Sequence, residues 1–505
     1  MSEAHDGDSA HLVRQLTSLD AQFLAVEDAR NFSHISGLVI LDPSTAPGGS
    51  LALADVQRHI EERLHLLPPF RWRLAEVPFG IDHPWWVDDP DFDIEFHVRE
   101  LALPAPGDHA QLAVQVERLI SRPLDRSKPL WEIYLVQGLE NGRVAMVPKI
   151  HHSVVDGVSG AEIMGTLYDL EPTGRDVSAP PRSIGSERVP SSLELFGKGV
   201  VAAPKRLAEA VVKVPSTLPY LVDVPTIRSL PGLDLIGRVA ERAKRAVPTG
   251  DGAVLNRTKA KAPRTILNGS VSAHRRVSFG SLSLPAVKLI KDAFKVKVND
   301  VVVALSAGAL REFLLAHDDL PEEPLVAMIP ISVRTEAQVG TYGNRISMMI
   351  APIPTDEPDP VVRLIRSHAE MAQAKDLHGA LPADLMTNAN NFIPPAVFAR
   401  AARAITSVGA SDRFRPHFNV TLSNVPGPPI PLYVAGAKLE ANYPISVVTD
   451  GIGLNITVLS YMDHLDFGIV GDRELAPDLD LIMDTLRRDL YTLEQRAKAK
   501  LKAEN

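Results

Sequence analysis

The sequence predicts an α/β protein with mixed sheets divided between two domains, and three observations lead there. At 505 residues the chain exceeds what one ordinary core serves, and two domains of about 200 residues are the natural expectation. Short β-like runs alternate with amphipathic helical stretches from residue 12 to 170, and the alternation returns from 263 to the end. Between them, from 172 to 262, the texture loosens into many Pro with scattered Ser and Gly. The expected division is therefore an N-terminal domain over 1–175, a linker with short helices over 176–262, and a C-terminal domain over 263–505.

The elements follow in order. Gly37–Leu41 is a compact apolar run that reads as a strand, and Val144–Ile150 is another. Asp55–Leu66 and Gln111–Ser121 repeat their apolar residues with the helical period. Arg206–Val214 reads as a short helix inside the linker. In the second half, Val301–Leu315 is apolar almost throughout, broken by Arg311 and Glu312, and reads as a buried helix. Strands are expected at Leu325–Ile331, Ile346–Ile350, Phe418–Ser423, Leu454–Ser460 and Leu465–Val470, and a terminal helix at Leu479–Ala499. No internal repeat emerges from inspection.

Composition narrows the function. A formal charge of −9, with 23% charged and 45% hydrophobic residues, describes a soluble globular protein and argues against nucleic-acid binding. The sequence has no cysteine. Disulfides, thiolate metal sites and a cysteine nucleophile are thereby excluded, and a reducing cytoplasm fits. Met1–Arg14 is polar and acidic, unlike the apolar core of a signal peptide. No window approaches the roughly 18 apolar residues of a membrane span. Membrane contact, if made, is then peripheral, at the inner face or on lipid inclusions. Between Lys198 and Arg264 there are 13 Lys or Arg against 5 Asp or Glu. Such a stretch is a solvated connector or a face for anionic lipid or a phosphorylated substrate.

The chemistry concentrates at 144–160. A strand-like run ends in His151-His152-Ser153-Val154-Val155-Asp156-Gly157, followed by Ser159-Gly160. A strand end places polar groups at the rim of a sheet, where a substrate reaches them. Adjacent residues of an extended strand face opposite sides, so the two histidines are poorly placed to clamp one metal. No HExxH or other ligand set accompanies them, and no metal is expected. A general base needs a neutral imidazole held in one tautomer within reach of an alcohol. Gly157 and Gly160 let a substrate approach the backbone closely. Asp156 either orients the imidazole or turns away to pin the loop.

These residues resemble the HHxxxDG signature of the CoA-dependent acyltransferases, which include chloramphenicol acetyltransferases and peptide-synthetase condensation domains. The flanks narrow the resemblance to the bacterial wax ester synthase/diacylglycerol acyltransferase family, and most of all to its mycobacterial triacylglycerol synthase branch. Leu16-Thr17-Ser18-Leu19-Asp20-Ala21-Gln22-Phe23-Leu24 is similar to its opening motif, with Thr17-Ser18 where Ser-Pro is common. Pro129-Leu130-Trp131, Gly138-Leu139 and Gly142-Arg143 match its approach to the histidines. Asn299-Asp300, Ser332-Val333-Arg334 with Gly343-Asn344, and Ser423-Asn424-Val425-Pro426-Gly427-Pro428 match later blocks, and Tyr443-Pro444 and Ser460-Tyr461 continue the pattern. The likeness runs from about residue 12 to 475 with the motifs in order.

The resemblance implies two chloramphenicol-acetyltransferase-like domains with a tunnel between them. Acyl-CoA enters from one side and diacylglycerol or a long-chain alcohol from the other. It implies His152 as the base, His151 and Gly157 beside it, and Asp156 in a structural role. Asn299, Asp300, Arg334, Asn344, Ser423, Asn424, Pro426 and Gly427 would line or support the substrate path. From the residues alone, Asn299 equally suits a helix cap, 423–428 a turn, and Pro129-Leu130-Trp131 core packing. The expected reaction is direct transfer without cofactor or acyl-enzyme. There is no Cys and no GxSxG elbow, since Gly157-Val158-Ser159-Gly160-Ala161 fails at its last position. Another lipid or polyketide hydroxyl as acceptor, a carrier-protein-bound donor, or a silent lipid-binding homologue are the competing readings.

Overall fold

The structure, a computed structural model, describes residues 14–78, 82–155, 160–177, 262–332, 346–379 and 416–504, with 194 and 197 as single positions. The basic stretch of the linker, including Arg206–Val214, lies outside the described residues.

Two six-stranded mixed sheets organise the chain, as an α/β class predicts. The first contains β2 (His34–Asp42), β5 (Val98–Ala102), β6 (Trp131–Gln137), β7 (Val144–His151), β12 (Tyr433–Val434) and β13 (Ala437–Ile445). Its order is β12-β13-β2-β7-β6-β5, antiparallel except between β5 and β6. The second contains β8 (Arg275–Ser283), β9 (Leu325–Ser332), β10 (Ile346–Ile353), β11 (Val420–Val425), β14 (Leu454–Tyr461) and β15 (His464–Asp472). Its order is β10-β9-β11-β14-β15-β8, with β11 parallel to both neighbours. A small sheet, β1 (Arg14–Gln15), β3 (Trp72–Ala75) and β4 (Trp85–Asp88), completes the described strands.

Ten α-helices are described. α1 (Ser18–Val26), α2 (Leu53–Glu61), α3 (Ile94–His97), α4 (His109–Ile120), α5 (His152–Val155) and α6 (Gly160–Leu167) belong to the first half. α7 (Leu284–Phe294), α8 (Val298–Ala316), α9 (Pro360–Gly379) and α10 (Leu479–Glu504) belong to the second. α8 is apolar on nearly every side and packs between α9, α10 and the second sheet, so it is buried almost throughout. Pro129-Leu130-Trp131 proves to be core: Leu130 and Trp131 are buried, and the Trp131 indole donates to the Phe70 carbonyl at 2.7 Å.

Chain order and sheet membership diverge at β13. This strand comes from the second half of the chain yet extends the first sheet by pairing with β2. It is also fastened to the second sheet. Asn442 N–H donates to the buried Asp466 carboxylate at 2.8 Å, which Ser281 Oγ also meets at 2.6 Å. β13 passes so close to β15 that a Cβ on Gly468 would lie 1.7 Å from the Pro444 carbonyl oxygen, so glycine alone permits the crossing.

A second contact joins the halves. β8 is an edge strand, and an edge presents unpaired backbone groups that need a cover. α4 supplies it: Glu117 accepts from Val277 N–H at 3.1 Å, and just beyond the helix Ser121 Oγ accepts from Arg275 N–H at 3.0 Å. An apolar cluster lies under this seam, drawing Leu112, Val116 and Val147 from one half and Val277, Phe279 and Val470 from the other. Burial of this kind contributes roughly 25 cal/mol per Å² of apolar surface.

Candidate active site

β7 carries the two histidines to its C-terminal end and turns into α5 between them. The turn separates their tasks. His151 is buried and both ring nitrogens face fixed neighbours. Ser153 N–H donates to His151 Nδ1 at 3.1 Å, so that nitrogen holds its lone pair, and Ser153 Oγ lies 2.6 Å from it. The ring proton then sits on Nε2, which faces Glu27 Oε1 at 3.2 Å. His151 is thus enclosed between Ser153 and Glu27.

Glu27 ends this chain of contacts as a carboxylate. Its Oε1 also accepts from Ser33 N–H at 2.8 Å, and its Oε2 from Arg126 at 2.8 Å. Burial alone would raise the Glu27 carboxyl, but His151, Arg126 and the Ser33 N–H outweigh it and bring its pKa to about 2.

His152 is the other kind of histidine. Its backbone N–H donates to the Ser33 carbonyl at 2.9 Å, and its ring stacks on Phe23 with centroids 4.7 Å apart and planes within 10°. The residue keeps a partly exposed edge, while its Nδ1 is buried. Neither ring nitrogen has a hydrogen-bond partner among the described residues. Its pKa falls to about 4, chiefly because burial disfavours the charged form and secondarily because His151 is near. At neutral pH the imidazole is uncharged and open to a proton.

Phe23 reaches this position because the opening motif folds as a capped helix. Thr17 Oγ1 accepts from Asp20 N–H at 3.2 Å, and Asp20 Oδ2 accepts from Thr17 N–H at 3.1 Å, a reciprocal N-terminal cap. The loop from Glu27 to Ser33 then leads into β2, where His34 pairs in register with His151. Phe23, Glu27, Ser33 and Arg126 are the site residues that sequence reasoning missed. No local signal in the sequence joins them to a motif so far along the chain.

The other expected residues fall into three groups. Asn299 and Asn424 are brought together: Asn424 Nδ2 donates to Asn299 Oδ1 at 3.4 Å, joining the start of α8 to the end of β11. Among the described residues, no hydrogen bond or ring contact joins that pair to His152. Asp300 is buried, with its carboxylate accepting from Lys297 N–H at 2.8 Å and meeting His368 Nδ1 at 2.6 Å. It closes the first turn of α8 in place of the capping role open to Asn299.

Ser423 lies in β11 opposite Thr457, and Pro426 is exposed. Gly427 N–H donates to Ser460 Oγ at 3.0 Å, where a Cβ would lie 2.1 Å from the Ser460 carbonyl oxygen. The block is thus a close passage against β14. Asp156, Gly157, Arg334 and Asn344 lie outside the described residues. Among the described residues no group of three His, Cys, Asp or Glu converges as a metal site would require.

The buried histidines set a pH dependence. His152, His34, His59 and His97 all titrate below the ordinary 6.5, first because of burial. Below that value the unfolded chain binds more protons than the folded one, so stability is full above pH 6.5 and falls as the pH drops. Glu27 adds stability above its ordinary 4.5 that is lost towards pH 2. Unfolding followed by fluorescence should therefore show declining stability below pH 6.5. Over the same range kcat/KM of the folded protein should not titrate near 6.5, because His152 stays neutral to about pH 4. An acid limb at 6.5 in folded protein would contradict this account of His152.

Comparison with known proteins bears on the same residues. A family model described as the wax ester synthase/diacylglycerol acyltransferase catalytic domain matches residues 16–302, and one described as the C-terminal domain of that family matches 342–494. A candidate diacylglycerol O-acyltransferase of Mycobacterium tuberculosis is 35% identical over 468 residues, covering 92% of this chain and 87% of the relative. The probable diacylglycerol O-acyltransferase tgs2 of the same organism is 32% identical over 495 residues, 94% of this chain and 98% of its own. Among solved structures, the wax ester synthase/diacylglycerol acyltransferase of Marinobacter aquaeolei VT8 superposes with a TM-score of 0.67 at 28% identity, covering 96% of this chain and 100% of that one. The trichothecene 15-O-acetyltransferase of Fusarium sporotrichioides, at 13% identity and a TM-score of 0.54 over 97% and 96% of the two chains, shares the fold.

Proposed function

This chain belongs to the wax ester synthase/diacylglycerol acyltransferase family and is an acyltransferase, and from that premise we propose that His152 is its general base in direct transfer from acyl-CoA to a lipid hydroxyl. The acceptor is diacylglycerol, giving triacylglycerol, or a long-chain alcohol, giving a wax ester. The observation that carries this reading is the contrast between the two histidines: His151 is buried between Ser153 and Glu27, while His152 is neutral, partly exposed and held by its backbone and by Phe23.

The chemistry follows from that contrast. A base held at a pKa of about 4 by burial takes a proton readily only where negative charge develops beside it. Attack of the hydroxyl oxygen on the thioester carbonyl creates such charge on the carbonyl oxygen. Proton removal and attack are therefore coupled. The new C–O bond forms, the C–S bond breaks, and the proton passes from His152 to the departing CoA sulfur. The step needs no cofactor beyond its two substrates. Asn299 and Asn424 join α8 to β11 within the second half. Lipid reaches the site without a helical membrane anchor among the described residues, none of which is long and apolar enough to cross a bilayer.

Release of free CoA from palmitoyl-CoA tests the reading. Release that depends on added diacylglycerol or hexadecanol, with the matching ester formed, is expected. No release with either acceptor would overturn the proposed pair of substrates.

A further inference from the structure

His152 receives little of its orientation from its own polar atoms. Two contacts hold it: the Ser33 carbonyl on its backbone N–H and the Phe23 ring on its imidazole. Both contacts trace back to one side chain. Glu27 accepts the Ser33 N–H, which fixes the residue preceding β2 whose own carbonyl receives His152. Ser33 Oγ donates to the Phe23 carbonyl at 2.9 Å, tying the helix that carries the stacked ring to the same point. Glu27 also faces His151 Nε2, and so fixes the residue preceding His152. Arg126 holds the carboxylate from its other side and donates to the Leu24 carbonyl at 2.7 Å, closing the assembly around the end of α1.

We propose that Glu27 is a positioning residue for acyl transfer, acting through Ser33, Phe23 and His151 to set the direction of the His152 imidazole. An orienting carboxylate in a hydrolase triad bonds its histidine directly. Here the carboxylate acts one step away, on the backbone and on the stacking partner. Displacement of a reacting group by about 1 Å can cost a hundredfold in rate, so a loop that fixes the imidazole is felt in kcat. The loop has independent anchors, which keep variants folded. Asp450 N–H donates to Asn31 Oδ1 at 3.0 Å, and Arg30 donates to the Val271 carbonyl at 3.3 Å.

The inference rests on His152 being the base, and the test separates the two. Steady-state kinetics with palmitoyl-CoA and diacylglycerol are compared for wild type, Glu27→Ala, Glu27→Gln, Phe23→Leu and His152→Ala. Glu27→Ala is expected to lower kcat about tenfold to a hundredfold while KM stays within about threefold. Glu27→Gln keeps an acceptor oxygen for Ser33 and His151, and should recover kcat to within about threefold of wild type. A purely structural Glu27 would instead lower the folded fraction and leave kcat per folded molecule unchanged. Wild-type kcat in Glu27→Ala, or no recovery in Glu27→Gln, overturns the proposal. If Glu27→Ala does not fold, Phe23→Leu decides: a kcat lowered about tenfold at constant KM supports the proposal, and an unchanged kcat overturns it. An active His152→Ala removes the base and this inference together. An inactive His152→Ala beside a full-rate Glu27→Ala removes the inference alone.

Discussion

His152→Ala is expected to fold normally and to lose about 10²–10⁴ in turnover, equivalent to roughly 3–5 kcal/mol of transition-state stabilisation. The fold should survive because the imidazole makes no side-chain hydrogen bond among the described residues and gives up chiefly its stack on Phe23, worth about 0.5–1.5 kcal/mol. The rate should not survive, because the other described basic side chains at this strand end are buried: His34 has its Nε2 on the Ile120 carbonyl at 2.9 Å and only an enclosed Nδ1 besides. His151 is spent on Ser153 and Glu27, and Lys149 points into the protein, where it meets the Leu119 and Arg122 carbonyls at the end of α4. Thiol release from palmitoyl-CoA in the presence of diacylglycerol, with circular dichroism to confirm folding, measures both halves of this expectation. Equal release from the variant and wild type would remove His152 from the mechanism.

The histidine motif was legible in the sequence because its signal is local. A strand-like run that stops at two histidines and continues through Asp and Gly sits within a dozen residues, and the strand observed, β7, ends where that pattern ends. Elements with strong local patterns were legible for the same reason. The apolar run Val301–Leu315 is the interior of α8, and Leu454–Ser460 and Leu465–Val470 are the hairpin strands β14 and β15. What escaped is what depends on distant partners. Ala437–Ile445 lies beyond the expected linker, and its own pattern does not say that it joins β2 of the first sheet. Strand pattern fixes which face is buried but not which strand lies alongside. Nothing in the sequence around Glu27 ties it to His151, and only the fold places the two together. The contacts of Asp300 with Lys297 and His368 also depend on the fold, since His368 lies on α9. The pairing of Asn299 with Asn424 likewise exists only once α8 and β11 have packed.

The seam between the halves supplies the largest effect expected on stability, at Asp169. Its carboxylate receives two hydrogen bonds from Arg63, at 2.8 and 3.1 Å, and both side chains are 2% exposed. Arg175 adds a contact at 3.5 Å and His59 one at 3.9 Å. Its backbone exchanges two hydrogen bonds of 2.9 Å with Tyr433 of β12, so the residue also fastens the helix following the histidines to a strand from the second half. Asp169→Ala leaves the buried Arg63 guanidinium with only the exposed Glu62 carboxylate at 3.7 Å, and breaking such a buried pair costs about 3–5 kcal/mol. The pair itself need not be strongly stabilising, because desolvation offsets most of its attraction. Replacing both partners with apolar side chains, Arg63→Met with Asp169→Leu, should therefore recover most of the loss. Urea unfolding of the single and double variants separates the two terms. A double variant as unstable as Asp169→Ala would mean that the stability resides in the ion pair or in the local backbone, and not in the avoidance of a stranded buried charge.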